Sequence, residues 1–363
     1  MKIRTAEITN FRGISRLNLD FVNPRSGVAR DLTCITGDNG SGKTTVLQAI
    51  AFVLSLATRK TREAEDFSWH GFLSERLSTL GAMRVELEIE FTEAEVTVTQ
   101  QLFEEWEKSR SPEWRQTHHI VPPSDERHIR LTYSDGTLNS SRGYPGNHQF
   151  LGRYYIKSLR RTQPELQLLF PDVGDIFWFD QFRNLGSRVD PEDDENGRPT
   201  SWQAGVEQLR EFLVGMWGFH TSPTPRRGTD YLAELEPQVA RIFSGFSFKG
   251  VQPRTNGMNQ KASDFYFLIQ KDNRVYDIAE MSSGEQSVFS LMYEFVRLNI
   301  ANSIVLIDEL ELHLHPPQQQ ALLSALPQLG MGCQYLITTH SPYLTEVIPD
   351  EQEIRLAGGR ACL

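Results

Sequence analysis

Three cysteines in 363 residues leave little room for thiol chemistry. Cys34, Cys333 and Cys362 stand far apart, without the paired spacing of a zinc site or a disulfide framework, and fit a reducing, cytoplasmic setting. No apolar run approaches the roughly 20 residues a membrane-crossing helix needs, so no membrane partner is expected. Met1-Lys2-Ile3-Arg4-Thr5 has no apolar segment behind it, which argues against export. A cationic excess is missing too: 37 Lys and Arg face 47 Asp and Glu, for a net charge of −10. The surface as a whole does not advertise nucleic-acid binding, so any such contact must be local or come through a partner. There is no internal repeat and no heptad run long enough for a coiled coil. What remains, 39% hydrophobic and 23% charged residues, is ordinary for a globular protein. The length suits two or three compact units, or one core carrying a large insertion.

One stretch organises the rest: Gly37-Asp38-Asn39-Gly40-Ser41-Gly42-Lys43-Thr44, followed by Thr45. It has the G-x-x-x-x-G-K-[ST] pattern of a phosphate-binding loop, in the context that pattern requires. Asp31 to Thr36 reads as a short buried strand, and Val46, Leu47, Ile50, Ala51 and Leu54 recur at helical spacing after the loop. The glycines let consecutive backbone N–H groups curl around phosphate oxygens, and the helix N-terminus adds its dipole. Lys43 would reach the β- and γ-phosphates, and the Thr44 hydroxyl would hold Mg²⁺. A nucleotide is the expected ligand.

Strands are expected over 2–9, 14–21, 83–91 and 127–133, the last closing on the hairpin signal Asp135-Gly136. A helix is expected over 100–110, limited by Pro112, and the pattern from 58 to 80 is irregular. Residues 150–170 read as a helix. On it Arg153, Lys157, Arg160 and Arg161 fall at i, i+4, i+7 and i+8, on one face. That face is either a patch for DNA or an acidic partner, or simply solvated. Ile176 to Phe179 is a short buried strand leading into Asp180-Gln181, helices follow over 202–217 and 229–243, and a second hairpin turns at Asp272-Asn273.

Three later stretches complete the pattern. Met281-Ser282-Ser283-Gly284-Glu285-Gln286 precedes a helix, again a Ser/Gly-rich helix start suited to phosphate. Ile304 to Ile307 is a buried strand capped by Asp308, which can hold Mg²⁺ through water, and Glu309, which can polarise an attacking water. Tyr335 to Thr339 is another strand, ending at His340.

In this order the set resembles the Walker A, signature, Walker B and switch-histidine motifs of the ABC-type ATPases. Glu309-Leu310-Glu311-Leu312-His313-Leu314-His315-Pro316 and the opening Ile8-Thr9-Asn10-Phe11-Arg12-Gly13 look like the OLD, RecF and SMC group, and within it the PtuA-like ATPases of phage defence. The matching motifs cover 1–56 and about 275–348. His313 and His315, spaced i, i+2 without further ligands, read as structural rather than metal-binding. The resemblance implies an α/β P-loop NTPase with an ABC-ATPase head, a mixed sheet, and a large α+β insertion between Walker A and signature. Its parts would be 1–60, an inserted lobe over 61–270, and 271–363. No Toprim nuclease domain is expected in the 22 residues after Ser341, and long SMC-type arms are missing.

The resemblance also implies ATP and Mg²⁺ as ligands. Gly37 to Thr45 would cradle the phosphates, Thr44, Gln181 and Asp308 would arrange the metal, Glu309 would act as general base, and His340 would sense the γ-phosphate. Ser282, Ser283 and Gly284 of a second copy would close over the nucleotide, and Arg12 would lie nearby. The function so implied is an ATPase that dimerises around ATP and controls an effector, a nuclease or toxin, in bacterial anti-phage defence. The alternatives are a RecF-like repair ATPase that clamps DNA through the Arg153–Arg161 face, and a transporter subunit, against which the spacing argues.

Overall fold

The computed structural model of the chain describes all residues except 68, 70, 71, 78, 119, 181–201, 224–228, 255–260 and 357–363. In chain order its strands are β1 (Lys2–Phe11), β2 (Ile14–Asp20), β3 (Leu32–Gly37), β4 (Arg84–Glu90), β5 (His128–Ser134), β6 (Thr137–Ser140) and β7 (Ile176–Phe179). These are followed by β8 (Ser247–Pro253), β9 (Phe265–Lys271), β10 (Arg274–Asp277), β11 (Ile304–Ile307), β12 (Gln334–Thr338) and β13 (Glu353–Leu356). The first α-helices are α1 (Lys43–Ala57), α2 (Glu93–Lys108), α3 (Pro112–Thr117), α4 (Gly143–His148) and α5 (Gly152–Leu159). Later come α6 (Trp202–His220), α7 (Tyr231–Ile242), α8 (Ser283–Arg297), α9 (Pro316–Leu329) and α10 (Pro342–Thr345).

The chain divides into two compact units. The first comprises Met1–Phe179, Ile300–Leu310 and Gly330–Leu363. It holds an antiparallel sheet in the order β2-β1-β4-β5-β6 and a parallel sheet in the order β13-β3-β12-β11-β7. The two sheets differ in sequence for a physical reason. In β4, Val85, Leu87 and Ile89 are buried while Glu86, Glu88 and Glu90 alternate between them, as a sheet with one wetter face requires. In the parallel sheet, all four residues of β11 and all five of β12 are buried, the continuous run of strands covered on both faces.

Helix α1 touches strands of both sheets. That placement buries almost its whole circumference, including Phe52 and Val53 outside the stripe expected from sequence. Phe52 packs edge-on to Tyr133 at 4.8 Å and tilted against Phe67 at 5.1 Å. Because β4, β5 and β6 extend the sheet begun by β1, the structure divides elsewhere than at the expected boundary after residue 60. The expected helix over 150–170 is shorter. It stops at Leu159, and Pro164–Asp172 forms a 3₁₀ stretch with Pro164 at its start and Pro171 inside it.

The second unit comprises Asp180–Asn299 and Glu311–Leu329. It contains the antiparallel sheet β10-β9-β8 and the helices α6 to α9. Its central polar contact is the buried pair Arg210–Asp277, with the guanidinium donating to both carboxylate oxygens at 3.3 and 2.6 Å. Asp277 also accepts the Phe267 amide at 2.8 Å and the Ala279 amide at 3.0 Å, so it pins β9 and the turn that leads into α8. Breaking a buried, fully bonded pair by removing one partner costs about 3–5 kcal/mol. Asp277→Ala is therefore expected to accelerate amide exchange across 265–299 by about two decades or more. Unchanged protection in that stretch would contradict the role given to Asp277.

Candidate active site

The phosphate-binding loop leaves β3 at Gly37 and enters α1 at Lys43. Gly37 has φ 143 and pairs in register with Leu356 of β13, whose carbonyl would lie 2.6 Å from a Cβ at that position. Only glycine fits there. Asp38, Asn39 and Gly40 are exposed, while Ser41 and Lys43 are buried. The Lys43 ammonium donates to the carbonyls of Gly37 and Asp38 at 2.9 and 3.0 Å and lies 3.4 Å from His340 Nδ1. Among the described residues the buried Ser41 hydroxyl has no hydrogen-bond partner. A cation held inside a glycine loop, with an unengaged hydroxyl beside it and a helix start behind it, suits a phosphate group.

The parallel sheet brings the other half of the chemistry to the same end. β11 is separated from β3 by β12 alone, so the residues after their C-terminal ends converge. Thr44 Oγ1 donates to the Asp308 carboxylate at 2.9 to 3.0 Å, and Thr338 Oγ1 donates to Asp308 Oδ1 at 2.6 Å. A hydroxyl and a buried carboxylate in contact are the oxygen donors Mg²⁺ takes, and these residues fit that ion. The next residue, Glu309, has φ 50, and its amide donates to Thr338 Oγ1 at 2.8 Å. Left-handed backbone at a residue with a Cβ costs roughly 1–2 kcal/mol. Here the amide contact holds it and leaves the Glu309 side chain half-exposed. Thr338 thus positions both acidic residues. Sequence reading passed over it as one residue of a strand, although its place just before Thr339-His340 was the available signal.

Arg12 lies against α1. Its guanidinium donates to Gln48 Oε1, its amide donates to the Leu77 carbonyl at 2.9 Å, and it stands 5.9 Å from the Phe72 ring centre. Burial pushes its pKa down. Gln48 is a partner that sequence reading did not single out.

In the second unit, Ser282 caps α8 through a reciprocal box. Its hydroxyl accepts the Glu285 amide, and Glu285 Oε2 accepts the Ser282 amide at 2.8 Å. Burial alone would raise the Glu285 pKa. Hydrogen bonds from Lys271 at 2.6 Å and from Ser282 outweigh it and hold the carboxyl below its usual range. Ser282 and Ser283 are exposed at this helix start, and Gly284 is buried. A Cβ on Gly284 would meet the His313 carbonyl at 2.5 Å, and His313 itself has φ 64. The Leu-His-Leu-His segment therefore packs on the helix start. That packing gives His313 a structural role at the helix start.

Gln181 lies outside the described residues. The four-cation face is not formed: Arg153 is buried, donating to the carbonyls of Val173 and Phe170 at 3.3 and 3.2 Å with Phe170 and Phe177 rings beside it. Arg160 falls at the helix cap and Arg161 beyond it, because the helix stops before completing the expected spacing.

The chain is similar to several known proteins. Residues 220–346 match the family described as "AAA domain, putative AbiEii toxin, Type IV TA system", and residues 6–141 match a second family described as "AAA domain". The "Retron Ec83 probable ATPase" of Escherichia coli is 30% identical over 115 residues, 29% of this chain and 21% of its own length. The "Septu protein PtuA" of Bacillus thuringiensis is 27% identical over 109 residues, 26% of this chain and 28% of its own. The match thus spans about a fifth to a quarter of those relatives. A solved SMC head bound to the C-terminal winged-helix domain of ScpA aligns over 95% of this chain and 92% of its own, at 15% identity and a TM-score of 0.49, too slight a likeness to bear on function. No helix among the described residues is long and apolar enough to cross a membrane. AAA-domain models thus match both parts of the chain, and the loop, Lys43, Thr44 and Asp308 gather at one sheet end, the arrangement of a P-loop ATPase.

Proposed function

We propose that the chain binds ATP with Mg²⁺, closes with a second copy around the nucleotide, and hydrolyses it to ADP and phosphate. The observation that carries this is the Thr44–Asp308–Thr338 chain of hydrogen bonds, ending on Glu309 beside the Lys43 loop. Lys43 and the α1 N-terminus would stabilise charge on the β- and γ-phosphates. Thr44 and Asp308 would hold Mg²⁺, which when bound neutralises phosphate charge. Glu309 would take the proton from a water as its oxygen attacks the γ-phosphorus, while the bond to the β-phosphate oxygen breaks. His340, 3.4 Å from Lys43, would report the γ-phosphate. Ser282 and Ser283 stand exposed on a different compact unit from the loop, a cap available to another copy.

The ATP state would set whether an effector, a nuclease or toxin, is held or released in a phage-defence system. Support comes from relatives named for a retron and for Septu, and from a family described with an AbiEii toxin. The loss of Arg153 from the cationic face removes the residue pattern that favoured a DNA clamp.

Glu309→Gln is expected to keep ATP binding while lowering turnover by about two to four decades, the range a positioned general base contributes. Near wild-type hydrolysis by that variant would reject Glu309 as the base. The effector half is checked by co-purification of the neighbouring gene's product, expected with the wild-type chain and Glu309→Gln and altered by Lys43→Ala. A product that never co-purifies in any nucleotide state would remove the effector from the account.

A further inference from the structure

At the opposite end of α1 from the phosphate loop, the first unit contains a cavity of about 480 Å³. The helix has 15 residues, so the cavity lies about 22 Å along it from Lys43. Its walls come from the end of α2, from α3, α4 and α5, and from Arg59 just past the α1 cap. The volume is that of a small-molecule site.

The lining combines two features. It is aromatic, with Trp106, Trp114, Tyr144, Tyr154 and Tyr155 all on its wall. It is also cationic, because Arg59 and Arg110 line it and no lining residue is acidic. Arg110 lies 4.5 Å from the Trp106 ring centre and 5.6 Å from that of Trp114, and Arg59 lies 5.2 Å from that of Tyr154. Among the described residues neither arginine makes an ion pair, and Arg110 Nε is buried without a hydrogen-bond partner. The Trp106 indole N–H is likewise buried and unpartnered. Tyr144, which lines the cavity while 74% exposed, stands at its opening.

We propose that this cavity is a second ligand site, for a nucleotide unit: a base to lie against the aromatic walls and a phosphate to pair with Arg59 and Arg110. An apolar ligand would leave two guanidinium groups unpaired, and a simple anion would have no use for the tryptophan and tyrosine walls. A base carrying a phosphate uses both, through stacking and charge-assisted hydrogen bonds. The Trp106 N–H offers a donor to a base or phosphate acceptor. The unit could be a free mononucleotide or an unpaired residue of a strand, since both present the same chemistry. The site is independent of the ATP reading, because none of its residues belongs to the loop or the Walker B segment.

The test uses the full chain carrying Lys43→Ala, so that the phosphate loop does not contribute. AMP and a short fluorescent oligo(dT) strand are titrated separately, by calorimetry and by anisotropy. Binding of AMP alone identifies a free nucleotide as the ligand, and binding of oligo(dT) identifies an unpaired strand. In either case Trp114→Ala and Arg110→Gln should weaken binding about tenfold or more, as loss of one base stack does elsewhere. Arg59→Gln, at an exposed side chain, should weaken it without disturbing thermal unfolding. Failure of both probes to bind, or binding unchanged by all three substitutions, overturns the proposal.

Discussion

The contact on which the site depends is the hydrogen bond from Thr44 to Asp308. It joins the first turn of α1, the helix that follows β3, to the end of β11, more than 200 positions away in sequence and one strand from β3 in the sheet. Everything nearby is arranged so that this contact has one geometry. Thr338, on the intervening strand, bonds both the Asp308 carboxylate and the Glu309 amide. Gly37 lets β13 come close enough to hold the loop from the far side. A hydroxyl–carboxylate pair fixed in this way is preorganised, and in the proposed mechanism it would position a metal and a water without reorganisation at the moment of reaction.

Two strained or crowded positions mark where packing serves the chemistry. Glu309 and His313 both carry left-handed backbone, four residues apart, on either side of the point where the chain passes from one compact unit to the other. Strain of this kind persists only where surrounding contacts over-determine it. At Glu309 the contact is the Thr338 hydroxyl. At His313 the carbonyl lies against Gly284, so the segment after the Walker B acids abuts the start of the signature helix.

Much of this was legible in the sequence, because it rests on local patterns. The glycine loop, the alternating β4, the continuous apolar β11 and β12, and the Ser-Ser-Gly helix start each declare themselves within a few residues. What was not legible depends on contacts distant in sequence. The α1 stripe looked one-sided because nothing local says that a second sheet covers its back. Arg153 looked like a surface cation because helical spacing cannot show that Phe170 and Phe177 fold over it. The strands over 84–140 looked like an insertion, since only pairing with β1 makes them part of the same sheet. The aromatic cavity was invisible for the same reason, with walls drawn from residues 59 to 155. β13, four residues long, gives almost no periodic signal.

In the proposed mechanism the phosphate loop is half of a site completed by the Ser282–Gly284 segment of a second copy. The most direct test mixes two variants that fail alone, Lys43→Ala and Ser282→Arg, each in the Glu309→Gln background to prevent turnover. Neither should dimerise with ATP, since one lacks a working loop and the other a working cap. Together they retain one complete site, so sedimentation of the mixture with ATP should show a heterodimer. A mixture that stays monomeric, while Glu309→Gln alone dimerises with ATP, would contradict the shared site.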